Sequence, residues 1–158
     1  MSSNHSRVNY QTFAKTAPNV YAGLSLLGKA VEESGLEKEL TELVKLRASQ
    51  LNGCAFCLQF HLDMARKLDM SSDKLDLVAA WRDAGVFSAR EMAALAWTEE
   101  LTSLDGHAAS DPAWAALREH FSEEEAVFLT VAIGTINNWN RIGIALRFAP
   151  PFLRNMGA

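Results

Sequence analysis

The sequence predicts an all-α protein. Apolar residues recur at helical spacing through most of its 158 residues. Serine-led capping boxes precede two of the apolar stretches, at Ser88-Ala-Arg-Glu91 and Ser122-Glu-Glu-Glu125. No stretch alternates apolar and polar residues as a half-buried strand would. There is also no repeat, low-complexity tract or linker-like segment. The expectation is a single domain over 1–158, a bundle of about seven helices with its core motif at about 36–68.

The elements follow in chain order. Val20 to Glu33 carries apolar residues at 20, 24, 27 and 31, and Gly35 follows as a stop. Leu36 to Leu51 repeats them at 36, 40, 43, 46 and 51, with Arg47 interrupting the face. Asn52-Gly53 then breaks the helix, because both residues tolerate the left-handed conformation. Cys54 to Leu68 resumes a helical pattern, and Ser71-Ser72-Asp73 offers caps for a helix to about Asp83. The Ser88 box opens an Ala-rich helix to about Ser103, ended by Asp105-Gly106. Asp111-Pro112 reads as an N-cap followed by proline at the first helical position. The Ser122 box opens the longest helix, to about Phe148, with Pro150-Pro151 as its stop. Apolar residues on several faces from Ala126 to Ile136 place it at the centre or between subunits.

Composition removes several classes of function. Hydrophobic residues are 49% and charged residues 22%, which suits a globular domain rather than a disordered chain. The net charge of −4 leaves no basic footprint for nucleic acid or an anionic membrane. No apolar run approaches the roughly 18 residues that span a bilayer. The opening MSSNHSRVNY has no apolar segment of signal-peptide type, so a cytoplasmic location is expected. Two cysteines make no disulfide framework; as Cys-x-x-Cys in such a chain they point to redox or metal chemistry.

Cys54, Cys57 and His61 stand at i, i+3 and i+7, one face of a helix. Gly53 puts Cys54 in the first turn, where unpaired N–H groups and the helix dipole favour a thiolate. His61 lies one turn beyond Cys57, within reach for proton transfer. Glu42 lies about 16 Å before the Asn52-Gly53 break and His61 about 12 Å after it, at 1.5 Å per residue. If the two helices fold back on each other, the carboxylate meets the imidazole and orients it.

The string ELTELVKLRASQLNGCAFCLQFH, carrying Glu42, Cys54, Cys57 and His61, resembles the alkylhydroperoxidase D-like core of the carboxymuconolactone decarboxylase superfamily. The likeness is close over roughly residues 20–80; NNWNRIGIALR at 137–147 is similar but less distinctive. The resemblance implies an all-α homotrimer or homohexamer whose cysteine pair cycles between dithiol and disulfide. It implies that Cys57 attacks a hydroperoxide, that Cys54 resolves the sulfenic acid, and that His61 and Glu42 relay protons. The reductant would be an external dithiol donor protein, lipoyl-bearing or thioredoxin-like. Some members have a histidine between the cysteines where this chain has Phe56. The superfamily's decarboxylases generally lack the cysteine pair, so its presence argues against decarboxylation. The helix-dipole argument, by contrast, favours Cys54 as the more acidic thiol.

Other readings stand beside this one. The pair could serve a dithiol–disulfide oxidoreductase or redox sensor. It could also be two inert core thiols in a non-enzymatic oligomeric binding domain. A zinc site from Glu42, Cys54, Cys57 and His61 lacks the usual second Cys or His pair. No cofactor motif is present. His5, His107 and His120 have no partner nearby in sequence, and the tryptophans Trp81, Trp97, Trp114 and Trp139 read as core or interface residues. Phe56 and Phe60 flank the site, as packing or as an apolar entrance. Asn137, Asn138, Asn140 and Arg141 read either as an inter-subunit hydrogen-bond network or as a solvated face.

Overall fold

The computed structural model describes residues 6–106 and 109–151, and among these all regular structure is helical. The helices are α1 (Tyr10–Thr16), α2 (Pro18–Glu33), α3 (Lys38–Asn52), α4 (Ala55–Lys67), α5 (Ser72–Leu77), α6 (Trp81–Ala84), α7 (Ala89–Thr102), α8 (Asp111–Arg118) and α9 (Glu123–Leu146). A 3-10 turn, Val78–Ala80, joins α5 to α6. His5 and His107 lie outside the described residues.

Two differences raise the count above seven. First, α1 was not expected. Asn9 caps it, its side chain accepting from the Thr12 N–H at 2.8 Å, and Pro18 restarts the chain as α2. Second, the single helix expected from about 71 to 83 is split. The tighter 3-10 turn keeps Val78 and Trp81 both buried against Leu43 and Leu46 of α3.

Both capping boxes form, at Ser88/Glu91 and Ser122/Glu125. Ser110, not Asp111, caps α8, its hydroxyl accepting from the Ala113 N–H, so Asp111 is inside the helix. The longest helix ends at Leu146, before the prolines. Arg147 takes the left-handed conformation (φ 54°), and the Phe148 N–H returns to the Gly143 carbonyl at 2.9 Å. That turn folds the Phe148 ring back into the core.

Helix α3 is the hub, packed against α4, α7 and α9. Leu43, Val44 and Leu46 are wholly buried, each contributing about 1.5–3 kcal/mol of hydrophobic stabilisation. Helix α9 lies across α2, α3, α4 and α7 as a central element of the chain. Three apolar clusters result. One joins α2, α3, α7, α8 and α9 around Val44, Leu129 and Ile133. A second joins α3, α4 and the 76–87 region around Leu43 and Leu46. The third holds Ala48, Cys54, Phe56, Cys57, Ile136 and Phe148, with Tyr10 and Phe13 of α1 packed against it. The cysteine pair therefore sits inside an aromatic core.

Candidate active site

Gly53 ends α3 in the left-handed conformation (φ 70°), and the Cys54 N–H closes the turn on the Ser49 carbonyl at 3.0 Å. A side chain at 53 would be strained there whatever space it had. This tight reversal folds α4 back along α3. Cys54 is the N-cap of α4, one position before its first turn, and its Sγ accepts the Cys57 N–H at 3.3 Å. Both cysteines are free thiols and both are buried.

The two sulfurs are not equivalent. The Cys57 thiol donates towards Cys54, and with the Cys57 N–H and the Asn140 amide this outweighs burial, holding the Cys54 thiol down at about 7. The same contact, with burial and the charge on Cys54, pushes the Cys57 thiol far above the ordinary range. The two thiols therefore titrate as one coupled pair, the first proton lost more easily than from a free thiol and the second held more tightly.

The reversal also brings the relay residues together. Glu42 Oε2 lies 2.7 Å from His61 Nδ1 across α3 and α4. Its other oxygen accepts from Lys45 Nζ at 2.8 Å, one turn along α3. Burial pushes the Glu42 carboxyl up, but its hydrogen bond to His61 and the charges of His61 and Lys45 outweigh this. It stays ionised below the usual carboxylate range. With Nδ1 engaged by Glu42, Nε2 is the ring nitrogen left for proton transfer. Lys45 escaped the sequence reading, although its i+3 spacing from Glu42 was visible there.

Helix α9 covers the sulfurs from the other side. A Cβ on Gly143 would stand 3.2 Å from Cys54 Sγ and 3.6 Å from Cys57 Sγ, so both sulfurs press on bare backbone. One turn earlier, Asn140 is fully buried, donating to Ser49 Oγ at 3.0 Å and accepting from Asn52 Nδ2 at 2.9 Å. Asn137 joins the same network through Asn52 and Thr102. Asn137 and Asn140 therefore pair within the chain, which decides against the solvated face for them; Asn138 and Arg141 are exposed. Neither Asn140 nor Gly143 was singled out for the dithiol in sequence, because their partners lie more than 80 residues away.

A cavity of about 260 Å³ opens beside the pair. Its polar floor is Cys57, His61 and Lys45, and its walls include Tyr10, Phe56, Phe60 and Trp139. Cys57 faces it and Cys54 does not. Among the described residues, no group of three or more His, Cys, Asp or Glu side chains could hold a metal ion. No helix among them is long and apolar enough to cross a membrane.

Residues 18–100 match the carboxymuconolactone decarboxylase family. The chain is 34% identical over 140 residues to the uncharacterised protein YdfG of Bacillus subtilis, covering 89% of this chain and 93% of that one. It superposes with a TM-score of 0.86 and 41% identity on a protein of unknown function from Agrobacterium tumefaciens described as a candidate antioxidant-defence protein AhpD, covering 93% and 99% of the two chains. The debrominase Bmp8 shares the fold, with a TM-score of 0.78 at 20% identity over 88% of this chain and 74% of that one.

Proposed function

Because the chain belongs to the carboxymuconolactone decarboxylase family, and to its alkylhydroperoxidase D-like group, we propose that it is a thiol-dependent peroxidase for organic hydroperoxides. The observation that carries this reading is the shared cavity floor. There a thiol, Cys57, stands one turn from an imidazole, His61, whose far nitrogen is held by the ionised Glu42. Aromatic walls suit the apolar body of an organic hydroperoxide better than hydrogen peroxide.

The steps balance as follows. Cys57 holds its proton the more tightly but is the sulfur that borders the cavity, so the proton passes to His61 Nε2 as the Cys57 sulfur attacks the terminal peroxide oxygen. The S–O bond forms as the O–O bond breaks, and the departing alkoxide takes the proton from His61 to leave as an alcohol. Cys57 is now a sulfenic acid. The Cys54 thiolate attacks the Cys57 sulfur, forming the disulfide. Hydroxide leaves and takes a proton from solvent to become water. Two electrons pass from the dithiol to the peroxide. A lipoyl-bearing or thioredoxin-like dithiol donor returns them by thiol–disulfide exchange. Glu42 orients His61 and balances its transient charge, and Lys45 holds Glu42 in place. Work as a homotrimer or homohexamer in the cytoplasm belongs to the same proposal.

The roles of the two sulfurs are separable by trapping. Cys54→Ser treated with one equivalent of cumene hydroperoxide and then dimedone should gain one dimedone adduct on Cys57 by mass spectrometry. Adducts on Cys54 in Cys57→Ser, and none on Cys57 in Cys54→Ser, would reverse the assignment.

A further inference from the structure

The amide network above the sulfurs has its direction fixed at one end. Asn137 Nδ2 donates to the Ile133 backbone carbonyl at 3.0 Å, and a carbonyl can only accept. Asn137 Oδ1 therefore faces the other way, where it takes an N–H from Arg141, a donor-only group, and one from Asn52 Nδ2 at 2.9 Å. The Asn52 amide nitrogen sits between two oxygens, so Asn140 must also present Oδ1 to it, at 2.9 Å. The Asn140 NH2 is then left facing Ser49 Oγ, and the Ser49 carbonyl in turn accepts the Cys54 N–H. The orientation is relayed through three side chains from a backbone carbonyl.

We propose that Asn140 is a positioning residue of the redox pair: its carboxamide N–H, locked by the Ile133–Asn137–Asn52 relay, is held on the sulfurs and stabilises the thiolate. Two further observations agree. Gly143, one turn along α9 from Asn140, lets the helix approach the sulfurs so closely that a Cβ there would stand 3.2 Å and 3.6 Å from them. The Asn140 amide also lowers the pKa of both thiols. No formal charge is needed on this side. Towards the pair and the apolar cluster around it, α9 turns Ile136, Trp139, Asn140, Ile142, Gly143 and Leu146, the turn after it adds Phe148, and α3 adds Ala48 and Ser49. The titratable groups that line the cavity are Cys57 and His61 on α4, Lys45 on α3, Tyr10 on α1 and Tyr21 on α2, with Glu42 of α3 bonded to His61 and Lys45. A neutral donor is what a buried thiolate can use without the desolvation cost of a second ion.

The inference rests on the dithiol cycle proposed above, but its test reads the thiols directly. Thiolate absorbance at 240 nm is followed against pH in the wild type, Asn140→Ala and Asn52→Ala. The wild type should titrate near 7. Asn140→Ala should titrate about one unit or more higher, a loss of about tenfold in thiolate stability. Asn52→Ala, which keeps the amide but frees it to turn, should shift the same way by less. Equilibration with glutathione should move severalfold towards the disulfide at pH 8 in both variants and remain unchanged at pH 5, where both thiols are protonated. A merely structural asparagine would lower the melting temperature and leave these readings alone. Unchanged thiol titrations in both variants would overturn the inference. If the wild type ignores hydroperoxide while the titrations shift as stated, the peroxidase reading fails and the role of Asn140 stands.

Discussion

Two largely buried carboxylates on neighbouring helices have similar surroundings and different uses. Glu42 on α3 holds Lys45 and His61, with its side chain 7% exposed. Glu99 on α7, 18% exposed, holds Arg47 at 2.8 Å, the Trp81 indole N–H at 2.9 Å and Arg82 at 2.6 Å. In both cases burial pushes the carboxyl up and hydrogen-bonded donors more than reverse it. The difference lies in the partners. Those of Glu99 are two guanidiniums and an indole, none of which exchanges a proton near neutrality. One partner of Glu42 is an imidazole, which does, and that imidazole borders a cavity shared with a thiol. Burial and depressed acidity alone therefore do not mark an active carboxylate; an exchangeable partner facing open space does.

Substitutions can break this comparison at several depths. The largest effect is expected from Cys57→Ser, which should abolish hydroperoxide turnover in a coupled assay with a dithiol donor while the protein stays folded. His61→Gln should lower kcat by about 10²–10⁴-fold, the usual range for a lost acid–base group. Glu42→Gln should cost less, since the imidazole remains but loses its orienting charge. Glu99→Ala is the counterpart. It should leave kcat unchanged and lower stability to urea by about 1–3 kcal/mol, as its donors lose their buried acceptor. A loss of turnover in Glu99→Ala would collapse the distinction.

The smallest effect concerns acid. Both carboxyls have folded pKa values below their unfolded value, so their stabilisation is complete above about pH 4.3 and fades as pH falls through the lowered values. The urea midpoint should decline as pH falls below about 5. The decline should be shallower in Glu99→Ala.

What was legible in the sequence was local. The i, i+3, i+7 spacing set Cys54, Cys57 and His61 on one face, and helical rise on either side of Asn52-Gly53 set Glu42 level with His61; the 2.7 Å contact follows. The capping boxes fixed two helix starts to the residue. The illegible parts depend on distant partners or competing local signals. Helix α1 has seven residues, too few for a period, and its Tyr10 and Phe13 gain meaning only beside Phe148. The prolines at 150 and 151 suggested the end of α9, yet Arg147 stops it earlier, where Phe148 can cover the thiols. The asparagines of α9 looked undecidable because Ser49 and Asn52, which orient Asn140, precede it by 91 and 88 residues.

The central claim is that Cys54 and Cys57 act as one two-electron unit towards hydroperoxide. The most direct test is a free-thiol count on the folded, pre-reduced protein before and after one equivalent of cumene hydroperoxide, followed by dihydrolipoamide. The account predicts that both thiols disappear together and that the dithiol restores both. Two thiols still titrating after the peroxide has been added would contradict it.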